Sequence, residues 1–226
     1  MLLNTAAQNS LALKKIWETI DTDSCPGNYN FHMHTVCSDG QLTPEQLMGQ
    51  AVKIGLKAMA ITDHHSVCGY HAARNWLENI PSEGPFTSLP HLWTGLEVTA
   101  QLLRTKVHIL GYGFIPEHRA MAPYLQGEEP QGKEGLAEEA IAAIHQAGGL
   151  AVLAHPARYR RPSKQLIPAA AELGIDGVEA YYAYTNTKPW TPSPIPTQEV
   201  KQLSREYGLF ATCGTDTHGL NLLYRL

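Results

Sequence analysis

The sequence predicts an α/β fold whose parallel sheet closes into a barrel of the TIM type. Three observations carry that expectation. Short apolar runs alternate with amphipathic stretches along the whole 226-residue chain, the pattern of repeated strand–helix units. No glycine-rich dinucleotide fingerprint or phosphate loop interrupts them. Nine residues with metal-ligating side chains, His32, His34, Asp39, His64, Glu97, His108, His155, Asp216 and His218, sit at or just after the ends of the apolar runs. A barrel brings its strand ends to one mouth, where its chemistry is placed. An open sheet offers a single crevice, into which ligands from so many strands do not easily converge.

The elements follow in order. Leu13, Ile16, Trp17 and Ile20 recur at helical spacing, so residues 9–20 are expected to form an amphipathic helix. A polar connection, Asp21 to Asn28, leads to a strand from Tyr29 to His34. Thr43-Pro44-Glu45-Gln46 is a helix start, with Thr43 as cap, Pro44 in the first turn and Gln46 completing a capping box. Leu47, Ala51 and Ile54 give this helix its inner face, and Gly55 ends it. Leu56 to Thr62 reads as a buried parallel strand. Trp93 to Val98 and Lys106 to Tyr112 read as two more strands.

Residues 134–147 then read as a helix with Leu136, Ala140, Ile141 and Ile144 inward, stopped by Gly148-Gly149. Leu150 to Ala154 is a strand, 163–173 a helix ending at Gly174, and Gly177 to Ala180 a strand. Residues 197–207 form a helix with Val200, Leu203 and Tyr207 inward, and Leu209 to Cys213 is the last strand. Two segments, Glu117 to Gly135 and the proline-rich Tyr184 to Pro196, are expected to be poorly ordered loops that follow strand ends. The chain therefore divides into an N-terminal helix and linker, residues 1–28, and a barrel domain, residues 29–226. The first helix is expected to cover the end of the barrel that no final helix covers.

Composition bounds the function. An apolar content of 43% fills a sizeable core, and a net charge of −4 gives no global field for long duplex nucleic acid. Cys25, Cys37, Cys68 and Cys213 form no CxxC pair, so neither a thiolate zinc site nor a disulfide framework is expected. No stretch reaches the ~20 apolar residues of a membrane span, and the N-terminus has no secretory signal pattern. The expectation is a cytoplasmic protein with reduced thiols and no membrane partner.

The chemistry lies in the nine clustered candidates. Mixed imidazole and carboxylate sets suit Zn, Mn or Fe. Nine donors are too many for one ion and about right for three, and closely spaced cations are a common device for breaking phosphate esters. In His32-Met33-His34 the two imidazoles stand at i and i+2, on one face of a strand.

Six motifs occur in order: HxHTxxSDG from His32, TDHH from Thr62, GLE from Gly95, VHILGYG from Val107, AHPARY from Ala154 and GTDTH from Gly214. Together they resemble the PHP (polymerase and histidinol phosphatase) superfamily of metal-dependent phosphoesterases. The resemblance spans residues 30–219. It implies a distorted (β/α)7 TIM-like barrel with a trinuclear centre of divalent ions (Mn, Zn or Fe). It also implies His32, His34, Glu97 and Asp216 around a first ion, Glu97, His108 and His155 around a second, and Asp39, His64 and His218 around a third. The AHPARY stretch is most similar to stand-alone members that act on nucleotide phosphates and short RNA, the RNase AM and nucleotide 3′,5′-phosphatase group. The chain departs from those members in having only a short polar insert between the His108 and His155 motifs.

The implied substrate is a small phosphorylated molecule, most simply a nucleotide 3′,5′-bisphosphate, or a short oligonucleotide. Arg158 is the expected phosphate contact, because a guanidinium grips a phosphate through paired hydrogen bonds. Asp63 is expected either to orient His64 or to cap the next turn, and His65 either to serve as acid for the leaving group or to be a surface histidine. Glu179 is either a partner of a ligand or an ordinary polar residue of the barrel mouth, and Tyr181, Tyr182 and Tyr184 either stack a base or pack. Two alternatives stand beside this reading. One is a histidinol-phosphate-type monophosphatase, and the other a non-catalytic, metal-stabilised binding domain.

Overall fold

A computed structural model of the chain describes residues 9–80 and 88–226. Of the expected N-terminal unit, residues 1–8 lie outside the described residues. Helix α1 spans Ser10–Trp17, with the Asn9 side chain accepting from the amides of Leu11 and Ala12. Strand β1 is Tyr29–Asn30, helix α2 Pro44–Ile54 and strand β2 Ala58–Ala60. The start of α2 is as its sequence predicts: Thr43 and Gln46 form the reciprocal capping box, and Gly55 ends the helix in the left-handed conformation at φ 84°.

Helix α3, Cys68–Glu78, was not anticipated from the sequence. It carries a glycine in its first turn and has no side-chain cap, so it lacks the usual start signals. It buries Tyr70 and Ala73 against a core shared with Leu47, Met48 and Ala51 of α2. Strand β3 is His91–Trp93 and β4 is Gly95–Leu102. The single strand expected at Trp93 to Val98 is thus two, and they belong to different sheets. The break falls at Thr94, just before Gly95, where an added Cβ would stand 2.2 Å from the Ile61 carbonyl oxygen.

The remaining elements are β5 (Thr105–Tyr112), α4 (Ala137–Gln146), β6 (Leu150–Leu153), α5 (Ser163–Glu172), β7 (Gly177–Tyr181), α6 (Pro194–Glu206) and β8 (Phe210–Cys213). Strands β1-β2-β3 form one parallel sheet, and β4-β5-β6-β7-β8 form a second. The second is mixed rather than parallel, because β5 runs against both β4 and β6. The reason is local. Leu103 and Arg104, at φ 50° and 60°, make a two-residue turn between β4 and β5. A tight hairpin allows only antiparallel pairing, since a parallel return needs a long crossover.

The two sheets meet at two seams. On one side Phe31 N donates to Cys213 O at 3.1 Å, and Met33 bridges Thr217. On the other His64 bridges Glu97, and His65 N donates to Glu97 O at 3.0 Å. These are isolated contacts, and the described strands do not form one closed ladder.

Helix α1 packs into the main core. Leu13 and Trp17 are buried, and the Trp17 ring lies 5.5 Å from Tyr112, 5.9 Å from Phe210 and 6.3 Å from Phe31. Both segments expected to be poorly ordered are built into the fold. A 3-10 turn at Arg119–Tyr124 buries Met121 and Tyr124. Pro194 and Pro196 lie in the first turn of α6 and Trp190 is buried, so these prolines start a helix rather than disorder a loop. Tyr207, expected inward, is 40% exposed, whereas Val200 and Ser204 face the core. No helix follows β8 among the described residues, and none is long and apolar enough to cross a membrane.

Candidate metal centre

The site is assembled at the carboxyl ends of strands. His32 and His34 follow β1 on one face while Met33, between them, points into the opposite core. Gly214 lies against them so closely that a Cβ there would be 2.2 Å from the His32 Cβ. The loop after Gly214 is tied down by Asp216 N donating to His32 O at 2.8 Å. Asp216 and His155 reach the centre with φ of 53° and 28°, backbone conformations that residues other than glycine seldom adopt and that collect at functional sites.

Glu97 on β4 occupies the middle. Its Oε2 is 3.1 Å from His32 Nε2, 3.1 Å from His34 Nε2 and 3.5 Å from His64 Nε2. Its Oε1 is 2.7 Å from His108 Nδ1 and 3.5 Å from His155 Nε2. Asp216 Oδ1 lies 3.3 Å from His32 Nε2 and 3.2 Å from His34 Nε2. Toward solvent, Asp39 Oδ2 is 3.2 Å from His218 Nε2 and 3.8 Å from His64 Nε2. Asp39 is 54% exposed, while His32, His34, Glu97 and Asp216 are buried. The centre is therefore deep at one end and open at the other.

All nine residues singled out from the sequence come together. Their donor atoms fall into overlapping groups, each with its atoms within 4.8 Å of one another: His34, Asp39, His64 and His218; His32, His34, Glu97 and Asp216; His64, Glu97 and His108. A fourth group, His32, His155 and Glu179, adds a carboxylate left open in the sequence. Glu179 Oε1 accepts from His32 Nδ1 at 2.9 Å, and Oε2 accepts from His155 N at 2.9 Å.

Electrostatics follow from this crowding. Burial pulls the His32 pKa down, but the Glu179, Glu97 and Asp216 carboxylates outweigh it and hold it well above its ordinary value. His34 is raised to about 9, again against burial, by the Asp216 and Glu97 carboxylates lying 3.2 and 3.1 Å from its Nε2. His64 is lowered to about 4 by burial and by the neighbouring imidazoles His34 and His108. Burial pushes the Glu97 and Asp216 carboxyls up, but the surrounding histidines prevail and keep both well below the usual carboxylate range.

The donors fit divalent cations. Both ring nitrogens of His34 are buried and neither has a hydrogen-bond partner. Its contacts with Glu97 and Asp216 are close but not hydrogen bonds. Buried polar atoms are rarely left so, and imidazole lone pairs among ionised carboxylates are the ligand set of Zn, Mn or Fe.

Two expected catalytic residues lie elsewhere in the arrangement. Asp63 does not orient His64. It accepts from Thr35 N at 2.7 Å, Thr35 Oγ1 at 2.8 Å and Ser38 Oγ at 2.8 Å, and so fixes the loop that carries Asp39. His65 turns its Nε2 to the Thr99 amide at 3.4 Å, and its carbonyl accepts from Gly127 N at 2.9 Å. It anchors the loop around residue 127, and burial lowers its pKa.

Arg158 does reach the centre, with Nη1 3.2 Å from Asp216 Oδ2. The same oxygen accepts from Tyr182 OH at 2.6 Å and from Arg225 Nε at 2.8 Å. Arg225 escaped the sequence reading because it belongs to no motif. Tyr159, within the AHPARY stretch, accepts from His108 N at 2.8 Å and so fixes the strand carrying that ligand candidate.

Residues 30–122 match the family model of the PHP domain. A 5′-3′ exoribonuclease Rnm of Salmonella typhimurium is 27% identical over 261 residues, covering 84% of this chain and 85% of that protein. A 3′,5′-nucleoside bisphosphate phosphatase of Chromobacterium violaceum is 31% identical over 126 residues, 55% of this chain and 40% of that protein. Among solved structures, a Bifidobacterium adolescentis protein provisionally described as a metal-dependent phosphoesterase superposes with a TM-score of 0.68. That match covers 86% of this chain and 88% of the other at 23% identity, a likeness of fold.

Proposed function

We propose that this chain, whose residues 30–122 match the PHP domain model, is a metal-dependent phosphoesterase of that family, and that it hydrolyses phosphate esters of nucleotides or short oligonucleotides at a centre of three divalent cations. Its two sheets are then the two arcs of one distorted (β/α)7 barrel. The observation that carries the reading is the position of Glu97, with its two oxygens shared among five imidazoles. The names of the exoribonuclease and bisphosphate phosphatase relatives favour nucleotide phosphates as substrates.

His32, His34, Glu97 and Asp216 would hold the deepest ion. Glu97, His108 and His155 would hold a second, and Asp39, His64 and His218 a third, with His34 Nδ1 3.5 Å from Asp39 Oδ1. Manganese, zinc and iron all suit this set. Bound cations supply a nucleophile from water at neutral pH and neutralise charge on the phosphoryl oxygens. The protein's own residues do the rest. Arg158, at the rim, orients the phosphate through its guanidinium. Asp63 and His65 act by position, holding the Asp39 loop and the loop around residue 127.

The test is phosphate release in Mn²⁺ buffer from a nucleoside 3′,5′-bisphosphate, a 5′-phosphorylated short RNA and histidinol phosphate. A His155→Ala, Asp216→Ala double variant is the blank. Turnover of the nucleotide or RNA is expected. Turnover of histidinol phosphate alone would assign a monophosphatase of that type, and no activity above the blank would leave a metal-stabilised binding domain.

A further inference from the structure

The four cysteines are free, and their thiols interact in two pairs. Cys25 meets Cys213 in the core, where both are buried. Cys37 meets Cys68 at the surface, with Cys37 half-buried and Cys68 exposed. The backbone holds this second pair together. Cys37 N donates to Thr35 Oγ1 at 3.1 Å. Gly69 follows Cys68 in the first turn of α3 and packs on the same hydroxyl, since a Cβ there would stand 2.8 Å from it. Thr35 Oγ1 in turn donates to Asp63 Oδ2 at 2.8 Å. One fixed hydroxyl thus lies between the backbones of the two cysteines, and their thiols are left facing each other. The phosphoesterase chemistry proposed above uses neither of them.

Facing thiols, one of them accessible, are the arrangement that a reversible disulfide needs. We propose that Cys37 and Cys68 form a redox-sensitive modification site, which hydrogen peroxide closes into a disulfide that displaces Asp39 and weakens the outer cation site. The exposed Cys68 sulfur attacks a peroxide oxygen. An S–O bond forms as the O–O bond breaks, giving a sulfenic acid and one water. The Cys37 sulfur then attacks the Cys68 sulfur. The S–S bond forms, the S–O bond breaks, and hydroxide leaves as a second water with the Cys37 proton. The two thiols lose two electrons and the peroxide gains them. The effect on the centre follows from the loop. Asp63 grips it at Thr35 and Ser38, and at Gly40 a Cβ would stand 2.5 Å from the His34 carbonyl oxygen. The new bond draws Cys37 towards α3, and Asp39, 54% exposed, is the residue between these holds that yields. Its Oδ2 stands 3.2 Å from His218 Nε2 and 3.8 Å from His64 Nε2, so a small shift takes it out of the donor group. The cross-link is independent of the proposed function, and only its effect on cation binding rests on that reading.

The test treats the metal-free wild type with hydrogen peroxide, alkylates the remaining thiols after unfolding and maps the digest by mass spectrometry. A cross-linked peptide pair holding Cys37 and Cys68 is expected, with Cys25 and Cys213 alkylated. In Cys37→Ser no thiol resolves the sulfenic acid, which should persist at Cys68 and react with dimedone. Absence of the Cys37–Cys68 cross-link, or an equal yield of Cys25–Cys213, would overturn the inference. After removal of peroxide, Mn²⁺ binding is compared by equilibrium dialysis in the reduced, the oxidised and the phosphine-re-reduced protein. One Mn²⁺ per chain should bind at least ~10-fold more weakly after oxidation, the scale expected when the support of a ligand is lost, and recover on reduction. Peroxide should leave Mn²⁺ binding to Cys68→Ser unchanged. A cross-link that leaves Mn²⁺ affinity as it was would overturn the effect on Asp39. If even the reduced protein binds no Mn²⁺, the metal-centre reading fails and takes the effect on Asp39 with it, while the peptide map still decides the modification site.

Discussion

Glu179 accepts a hydrogen bond from Nδ1 of His32 at 2.9 Å, and both side chains are fully buried. The bond fixes the His32 tautomer with its proton on Nδ1, which leaves the Nε2 lone pair aimed at Glu97 and Asp216. A carboxylate behind a ligating imidazole also makes the ring a better donor. Glu179→Gln keeps the shape and removes the charge. Metal affinity should fall by about 10–100-fold, read by competition with a chelator. An unchanged affinity would show that Glu179 only holds the His155 amide.

Gly69 sits where α3 passes the Asp39 loop. A Cβ at this position would stand 2.1 Å from Asp63 Oδ2 and 2.8 Å from Thr35 Oγ1. Asp63 cannot retreat without releasing Thr35 and Ser38. Gly69→Ala should therefore destabilise the protein by about 1–3 kcal/mol, the usual range for overpacking, although helix propensity alone would favour alanine. Denaturant unfolding measures it. A neutral or stabilising effect would mean that the Asp63 network yields easily.

Most of the candidate site was legible in the sequence because its potential ligands occur in short, ordered motifs at strand ends, where topology alone brings them together. The helix at Pro44–Ile54 was legible for a local reason, its capping box and its glycine stop. What was hidden depends on long-range placement. Asp63 lies beside His64 in sequence, yet its carboxylate faces Thr35 and Ser38. Arg225 reaches Asp216 only because the chain after His218 folds back, with His218 N donating to Arg225 O at 2.7 Å. The antiparallel β5 was missed because Leu103-Arg104 lacks the glycine or asparagine usual in such a turn.

Asp176 ties three elements together away from the metal centre. It meets His145 Nε2 of α4 at 2.7 Å, the Ala151 amide of β6 at 2.9 Å and Lys14 Nζ of α1 at 3.5 Å. Burial pushes its carboxyl up, but the His145 ring, the Ala151 amide and Lys14 prevail and its pKa lies below the ordinary value. A depressed folded pKa contributes stability above the unfolded value of about 3.9 and loses it as pH falls through the folded value. The stability gap between wild type and Asp176→Asn should thus be full above roughly pH 4 and shrink below it. Urea unfolding at fixed pH values reads the gap. A gap that widens in acid would contradict the assignment.

Trp17 makes α1 part of the core rather than an appendage. Its ring meets Tyr112, Phe31 and Phe210, which come from three separate strand segments. Trp17→Ala should cost about 3–5 kcal/mol, as for other large aromatic truncations in cores. Loss of the whole segment 1–24 should lower the melting temperature further, since Leu13 and Ile20 go with it. An unchanged melting temperature in either variant would show that the core beneath α1 needs no cover.

His34 and His108 differ in how many donor groups they join. His34 belongs both to the deep group with His32, Glu97 and Asp216 and to the outer group with Asp39, His64 and His218. His108 belongs to one, with His64 and Glu97. If the groups are separate ion sites that share ligands, His34→Ala should lower the metal content by more than one ion per chain, and His108→Ala by one at most. Counting metal after dialysis against a fixed free concentration distinguishes the two. Ligands bound only to the folded state also stabilise it, by about 2.7 kcal/mol per independent site at a hundredfold excess over Kd. Thermal melts with and without Mn²⁺ should therefore show a smaller metal-dependent gain for His34→Ala than for His108→Ala. Equal losses would mean that the donors around Glu97 and His34 act as a single site.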